Sequence, residues 1–176
     1  FIDACRKLDL NPMNSHNLSS MRMMLSTGSV LSSDCFDYVY EKIKNSICLS
    51  SISGGTDIVS CFVLGSNILP VYRGELQTRG LGMSVEVWDG LGSPVKGIKG
   101  ELVCTKTFPS KPVMFWDDKD MKKYSNSYFS RYPNVWCHGD YVKLVDNDGM
   151  IFYGRSDTTL NRGGIRIGTA EIYRQV

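Results

Sequence analysis

The sequence predicts an α/β fold: part of a parallel α/β sheet subdomain over residues 1–75, then a small antiparallel, β-barrel-like subdomain over residues 76–155, with residues 156–176 leading onward. Three observations carry this. A strand–loop–helix–strand–loop order opens the chain, helical periodicity fades after residue 70, and Asn147-Asp148-Gly149 separates two apolar stretches near the end.

The first residues, FIDACRKLDL, read as the tail of a helix entered from upstream. MRMML, at 21–25, is a short apolar run of strand length that meets Ser26-Thr27-Gly28-Ser29. Ser32 or Ser33 can cap a following helix, Asp34 and Asp37 suit its positive end, and Phe36, Val39, Tyr40 and Ile43 make its apolar stripe. Asn45 stops it, and ICLSSI at 47–52 is a second strand, meeting the polar loop Ser53-Gly54-Gly55-Thr56-Asp57. A right-handed crossover makes these strands parallel and sets both loops at one sheet edge, where open α/β sheets bind ligands. Both loops also fit ordinary turns that use glycine for backbone reasons.

Past residue 70, SVEVWD at 84–89 places Val85 and Val87 on one face, Asp89-Gly90-Leu91-Gly92 turns the chain, and ELVCT at 101–105 is a further strand. Tyr141–Asp146 and Met150–Tyr153 flank Asn147-Asp148-Gly149 as a hairpin.

Lysine plus arginine number 20 and aspartate plus glutamate 18, a net charge of only +2 with no basic block, which argues against a nucleic-acid partner. No segment reaches the roughly 18 apolar residues of a membrane span. The six cysteines, at 5, 35, 48, 61, 104 and 137, form no CxxC pair, and the two histidines are His16 and His138; this excludes a zinc cluster and fits free thiols in a reducing compartment such as the cytoplasm. Asp146-Asn147-Asp148-Gly149 fails as a calcium loop, because Leu144 and Arg155 would stand where acidic donors belong.

In Ser53–Asp57, glycines permit close backbone approach to a phosphate, Thr56 can donate to a phosphoryl oxygen, and Asp57 can hold magnesium or cap a following helix. His138-Gly139-Asp140 precedes a strand; Asp140 there can accept both ribose hydroxyls or serve as a turn residue, and His138 reads as structural. Arg155 and Arg166 lie in a glycine-rich segment, where guanidinium forks match phosphate and ribose oxygens. Gly163-Gly164 permits sharp backbone changes.

The order of these pieces resembles the adenylate-forming superfamily of acyl-CoA synthetases, luciferases and peptide-synthetase adenylation domains. The matching segments are TGSVL (27–31), SGGTD (53–57), GELV (100–103), HGDYVKL (138–144) and GRSDTTLNRGGIRIGTAEI (154–172), and the likeness runs through essentially the whole chain. The resemblance implies a reaction using ATP, Mg2+ and coenzyme A, in which a carboxylate attacks the α-phosphate and the thiol of coenzyme A then displaces AMP. It implies that Gly28, Ser29 and Val30 line the adenine and acyl pocket. Gly54, Gly55 and Thr56 contact nucleotide and phosphate, with Thr56 and Arg166 the catalytic pair. Asp57 holds the metal, where the superfamily more often has glutamate. Asp140 binds the ribose beside Arg155, and Asp157 marks the hinge to a further domain. Members that activate acetate carry bulky aromatics where this chain has Ser53-Gly54-Gly55, so a deeper pocket for a short keto acid, acetoacetate, is implied; another short-chain acid is the alternative. The superfamily's phosphate loop, TSGTTGxPK, and its lysine-bearing C-terminal domain have no match here, so the chain alone is expected to complete neither half-reaction. A non-catalytic nucleotide-binding module is the competing reading.

Overall fold

The computed structural model describes residues 1–158, 160–162 and 165–173, without the side chains of residues 160–162, 165, 166 and 173. Helix α1 (Ile2–Lys7) carries Asp3 in its first turn and Arg6 and Lys7 in its last, which matches its dipole. A single turn, α2 (Pro12–Ser15), has proline at its start, where a missing N–H costs nothing. Strand β1 (Met23–Ser26) precedes α3 (Ser33–Tyr38), whose first turn is capped as expected: Ser32 Oγ accepts from the Cys35 amide at 3.3 Å. The apolar stripe then continues through a wider π-helical turn, Val39–Ile43, which ends as the Lys44 amide donates to the Val39 carbonyl. Strand β2 (Cys48–Ser51) returns parallel to β1, from Met23 opposite Cys48 to Ser26 opposite Ser51. The expected parallel pair therefore exists, two residues later in its first strand than the apolar run alone placed it. Leu31, Phe36, Val39, Ile47 and Leu49 pack beneath it.

Two antiparallel sheets follow and share a second core. In the first, the order is β3 (Ser53–Gly55), β4 (Ser60–Leu64) and β5 (Thr78–Arg79). In the second, β6 (Val85–Trp88), β7 (Lys99–Cys104), β8 (Trp136–Leu144) and β9 (Met150–Arg155) lie side by side in sequence order. Ile58 from the β3–β4 turn and Phe62 and Val63 from β4 meet Val85, Val87, Leu102 and Val142 from the second, all at most 1% exposed. Val85 and Val87 share the inner face, as their alternation requires. Both expected turns are present. Asp89 Oδ1 accepts from the amides of Leu91 and Ser93, and the Val145 amide meets the Gly149 carbonyl across the β8–β9 hairpin. Helix α4 (Lys122–Tyr128) sits in the β7–β8 connection. Strands β10 (Leu160–Arg162) and β11 (Ile165–Ile167) form a small hairpin before α5 (Thr169–Tyr173). No helix among the described residues is long and apolar enough to cross a membrane.

Two local expectations are corrected. Ser53–Gly55 is not a free loop but a strand paired with β4, and a turn over residues 56–59, not a helix, follows it. The polar, glycine-rich composition concealed a β-hairpin arm. His138-Gly139-Asp140 does not precede a strand but lies inside β8, because Gly139 adopts φ +80° and lets the strand carry an irregular step.

All six cysteines are free thiols. Burial pushes the Cys104 and Cys137 thiols up, which holds them in the unreactive protonated form. Neither is expected to react with a thiol reagent at pH 8 until the protein unfolds. Quantifying labelled cysteines with and without denaturant checks this.

Candidate functional site

The site is built where the β3–β4 arm meets the end of the β8–β9 hairpin. Asp140 and Arg155 are register partners on β8 and β9. The Asp140 side chain is only 12% exposed, yet one oxygen accepts from Ser53 Oγ at 3.0 Å and the other faces Arg155 Nη1 at 3.4 Å. A carboxylate so enclosed needs polar partners, and here a hydroxyl from β3, 87 residues away in the chain, and a guanidinium from β9 supply them. Arg155 is half-exposed. It also donates to the His138 carbonyl at 2.8 Å and lies 3.5 Å from Asp157. Glycine at 139 is required: a Cβ there would stand 2.6 Å from Arg155 Nη2, so any side chain would displace the guanidinium from beside Asp140.

His138 locks the arm to the sheet. Its ring is buried, edge-on to Phe62 at 4.7 Å. Trp136 Nε1 can only donate, and it faces His138 Nδ1 at 3.4 Å, so Nδ1 accepts and the ring proton sits on Nε2. That proton points to the Gly54 carbonyl at 3.4 Å. The structural reading of His138 is thus the one the geometry supports: both ring nitrogens are committed.

Thr56 and Asp57 are exposed on the turn at the tip of the arm. Asp57 Oδ1 accepts from the Ile58 amide at 3.1 Å, and Oδ2 accepts from the Tyr128 hydroxyl of α4 at 2.6 Å. Burial first, and then the hydrogen bond to Asp57, pushes the Tyr128 phenol far up, so it remains a donor. Gly28 and Ser29, both exposed, leave β1 at the same end at which Ser53 follows β2, while Val30 packs on the second core. Arg166 lies on β11, with its side chain outside the described residues, and Gly163-Gly164 lie outside them altogether. Ser53, Asp140, Arg155 and Asp157 are therefore joined directly. Asp57 is tied to α4 from the tip of the same arm, Gly28 and Ser29 stand at the matching end of the parallel pair, and Val30 reaches the second core. Two shallow clefts, of about 280 and 220 Å³, lie elsewhere and include none of these residues.

No sequence pattern assigns Ser53 a role of its own or marks Tyr128 and Trp136 as part of the site. Tyr124 and Tyr128 stand four residues apart, a helical aromatic pair that could have signalled α4 and its inward face. Nothing in the sequence signals that this face ends on Asp57.

Comparison with known proteins bears on the family. No family model matches the chain. The chain is 41% identical to acetoacetyl-CoA synthetase from Streptomyces lividans, with a TM-score of 0.88 over 98% of this chain and 27% of that one. It overlays anthranilate CoA ligase AuaEII in complex with anthranoyl-AMP with a TM-score of 0.77 at 20% identity, over 94% of this chain and 30% of that one, a likeness of fold. The architecture is therefore that of the adenylate-forming CoA ligases. Among curated relatives it is 60% identical over 176 residues to the acetoacetyl-coenzyme A synthetase of Rhizobium meliloti and 52% over 170 residues to that of Gallus gallus, covering 100% and 96% of this chain. The chain belongs to the acetoacetyl-CoA synthetase family. It spans about a quarter of those relatives' length, 27% and 25% respectively.

Proposed function

We propose that this chain is the nucleotide-binding stretch of a cytoplasmic, ATP-dependent ligase that joins acetoacetate to coenzyme A. The observation that carries this reading is the enclosed Asp140 carboxylate, fixed between Ser53 and Arg155 at the junction of two elements, in a chain 60% identical to an acetoacetyl-coenzyme A synthetase. The carboxylate of acetoacetate attacks the α-phosphate of ATP, giving acetoacetyl-AMP and pyrophosphate. The coenzyme A thiol then loses its proton and displaces AMP, giving acetoacetyl-CoA.

In this reading Asp140 accepts the two ribose hydroxyls in place of Ser53, and Arg155 holds it in position. Gly28, Ser29 and Val30 flank adenine and acid, while Gly54 and Gly55 bring main chain to the nucleotide. Thr56 and Arg166 serve the phosphates, and Asp157 is the hinge. Phosphoryl chemistry of this kind asks the protein for position and charge rather than for a covalent partner. Asp57 fits magnesium: it is exposed, it keeps free lone pairs, and Mg2+ is commonly held by one carboxylate plus substrate phosphates. When bound, the ion would neutralise charge on the transferring phosphates.

The test is ATP–pyrophosphate exchange by the full-length gene product. Strong exchange with acetoacetate, exceeding that with acetate or longer acids, is the expected result. Preference for another acid would reassign the substrate, and no exchange from folded protein would leave a non-catalytic nucleotide-binding module.

A further inference from the structure

Asp57 sits on an exposed turn whose neighbour Val59 is β-branched yet adopts φ +47°, a conformation such residues avoid. Left to itself, a carboxylate on such a tip would sample several rotamers. It is not left to itself. The Tyr128 hydroxyl meets Oδ2 at 2.6 Å from a residue 71 positions away. The Tyr128 ring is clamped in turn. It stacks on Trp136 with centroids 3.6 Å apart and planes at 14°, and it meets Tyr124 and Phe115 edge-on at 5.5 and 5.7 Å. Trp136 is 2% exposed, so the clamp is anchored in the core.

Resting on the reading of Asp57 as the magnesium ligand, we propose that Tyr128 is a positioning residue that fixes this carboxylate for the cation. The chemistry suits the task. An ionised carboxylate offers about four lone-pair sites. The Ile58 amide takes one on Oδ1 and Tyr128 takes one on Oδ2, which leaves one on each oxygen for a cation. A phenol donates without adding negative charge, so it orients Asp57 without repelling a phosphate, as a second carboxylate would. Aspartate reaches one methylene less far than glutamate, so its usefulness as a ligand depends on a fixed direction. Outer partners that orient metal ligands are commonly worth 10- to 100-fold in metal affinity.

The test compares wild type, Tyr128→Phe and Asp57→Ala in the full-length protein. Phenylalanine keeps the ring stack and deletes only the hydroxyl. One readout is Mn2+ binding in the presence of a non-hydrolysable ATP analogue, followed by electron paramagnetic resonance. The other is the Mg2+ dependence of pyrophosphate exchange. Tyr128→Phe is expected to weaken Mn2+ binding about 10-fold and to raise the half-saturating Mg2+ by the same factor, with maximal exchange at saturating Mg2+ within about 2-fold of wild type. Unchanged metal dependence in both readouts, or an equal loss at every Mg2+ concentration, overturns the proposal. Asp57→Ala is expected to abolish the tight Mn2+ signal. A wild-type signal from Asp57→Ala overturns the metal reading and the role of Tyr128 together. If wild type shows no exchange, the ligase reading fails, while the Mn2+ titration still decides the Tyr128 question.

Discussion

Asp140→Ala is expected to raise the ATP concentration for half-maximal pyrophosphate exchange roughly 100-fold in the full-length protein, with the fold retained. A hydrogen bond to a charged group contributes about 1.5 kcal/mol or more, and loss of two from the ribose hydroxyls corresponds to about 3 kcal/mol. The protein tolerates the loss, because the partners left behind are not stranded. Arg155 is half-exposed and keeps its bond to the His138 carbonyl, and Ser53 can turn its hydroxyl to water. The decisive comparison uses 2′,3′-dideoxy-ATP. Wild type should handle it as poorly as the variant does, and the variant should not distinguish it from ATP. An unchanged ATP dependence in Asp140→Ala would remove ribose from this carboxylate.

Gly54→Trp is expected to disrupt the β3–β4 arm, at a cost of at least about 3 kcal/mol, rather than to switch the acid preference toward acetate. The resemblance to acetate-activating enzymes reads the missing bulk at 53–55 as a deeper acyl pocket. The structure supplies a different reason for glycine. A Cβ at residue 54 would lie 2.0 Å from the Ser60 carbonyl oxygen and 2.7 Å from Cys61 Cα, both main-chain atoms that cannot step aside without parting the strands. Parting them would also withdraw the Gly54 carbonyl from His138 and move Ser53 off Asp140. Gly54→Ala isolates this cause, since a methyl group cannot fill a pocket. Its urea-unfolding midpoint should already fall, by about 2 kcal/mol equivalent. A stable Gly54→Ala protein, with a folded Gly54→Trp that favours acetate, would restore the pocket reading.

Where periodicity and turn chemistry act within a few residues, the sequence was a good guide. Ser32 caps α3, the strands at 23–26 and 48–51 are parallel, Val85 and Val87 face inward, and Asn147-Asp148-Gly149 turns a hairpin. The reading weakened wherever tertiary pairing decides the local state. Ser53-Gly54-Gly55 has poor strand propensity and becomes a strand because β4 lies against it, and Asp140 sits inside a strand because Gly139 absorbs the irregular step. Within the site, the acidic and basic residues were visible individually. Their partners were not: Ser53 reaches Asp140 across 87 residues and Tyr128 reaches Asp57 across 71, and no local pattern encodes such pairings.

Those separations also rank how the site assembles. Asp140 and Arg155 are 15 residues apart on one hairpin, whereas Ser53 and Asp140 are 87 apart. Loop-closure entropy makes the longer link about 1.6 kcal/mol more costly to form from an open chain. Hairpins close in microseconds, while non-local contacts wait for the chain to collapse around them. The arginine–aspartate end of the site is therefore expected in place early, and the β3–β4 arm, which brings Phe62 into the core, docks onto it late. On that order, Asp140 and Arg155 stand side by side before the serine arm completes their enclosure.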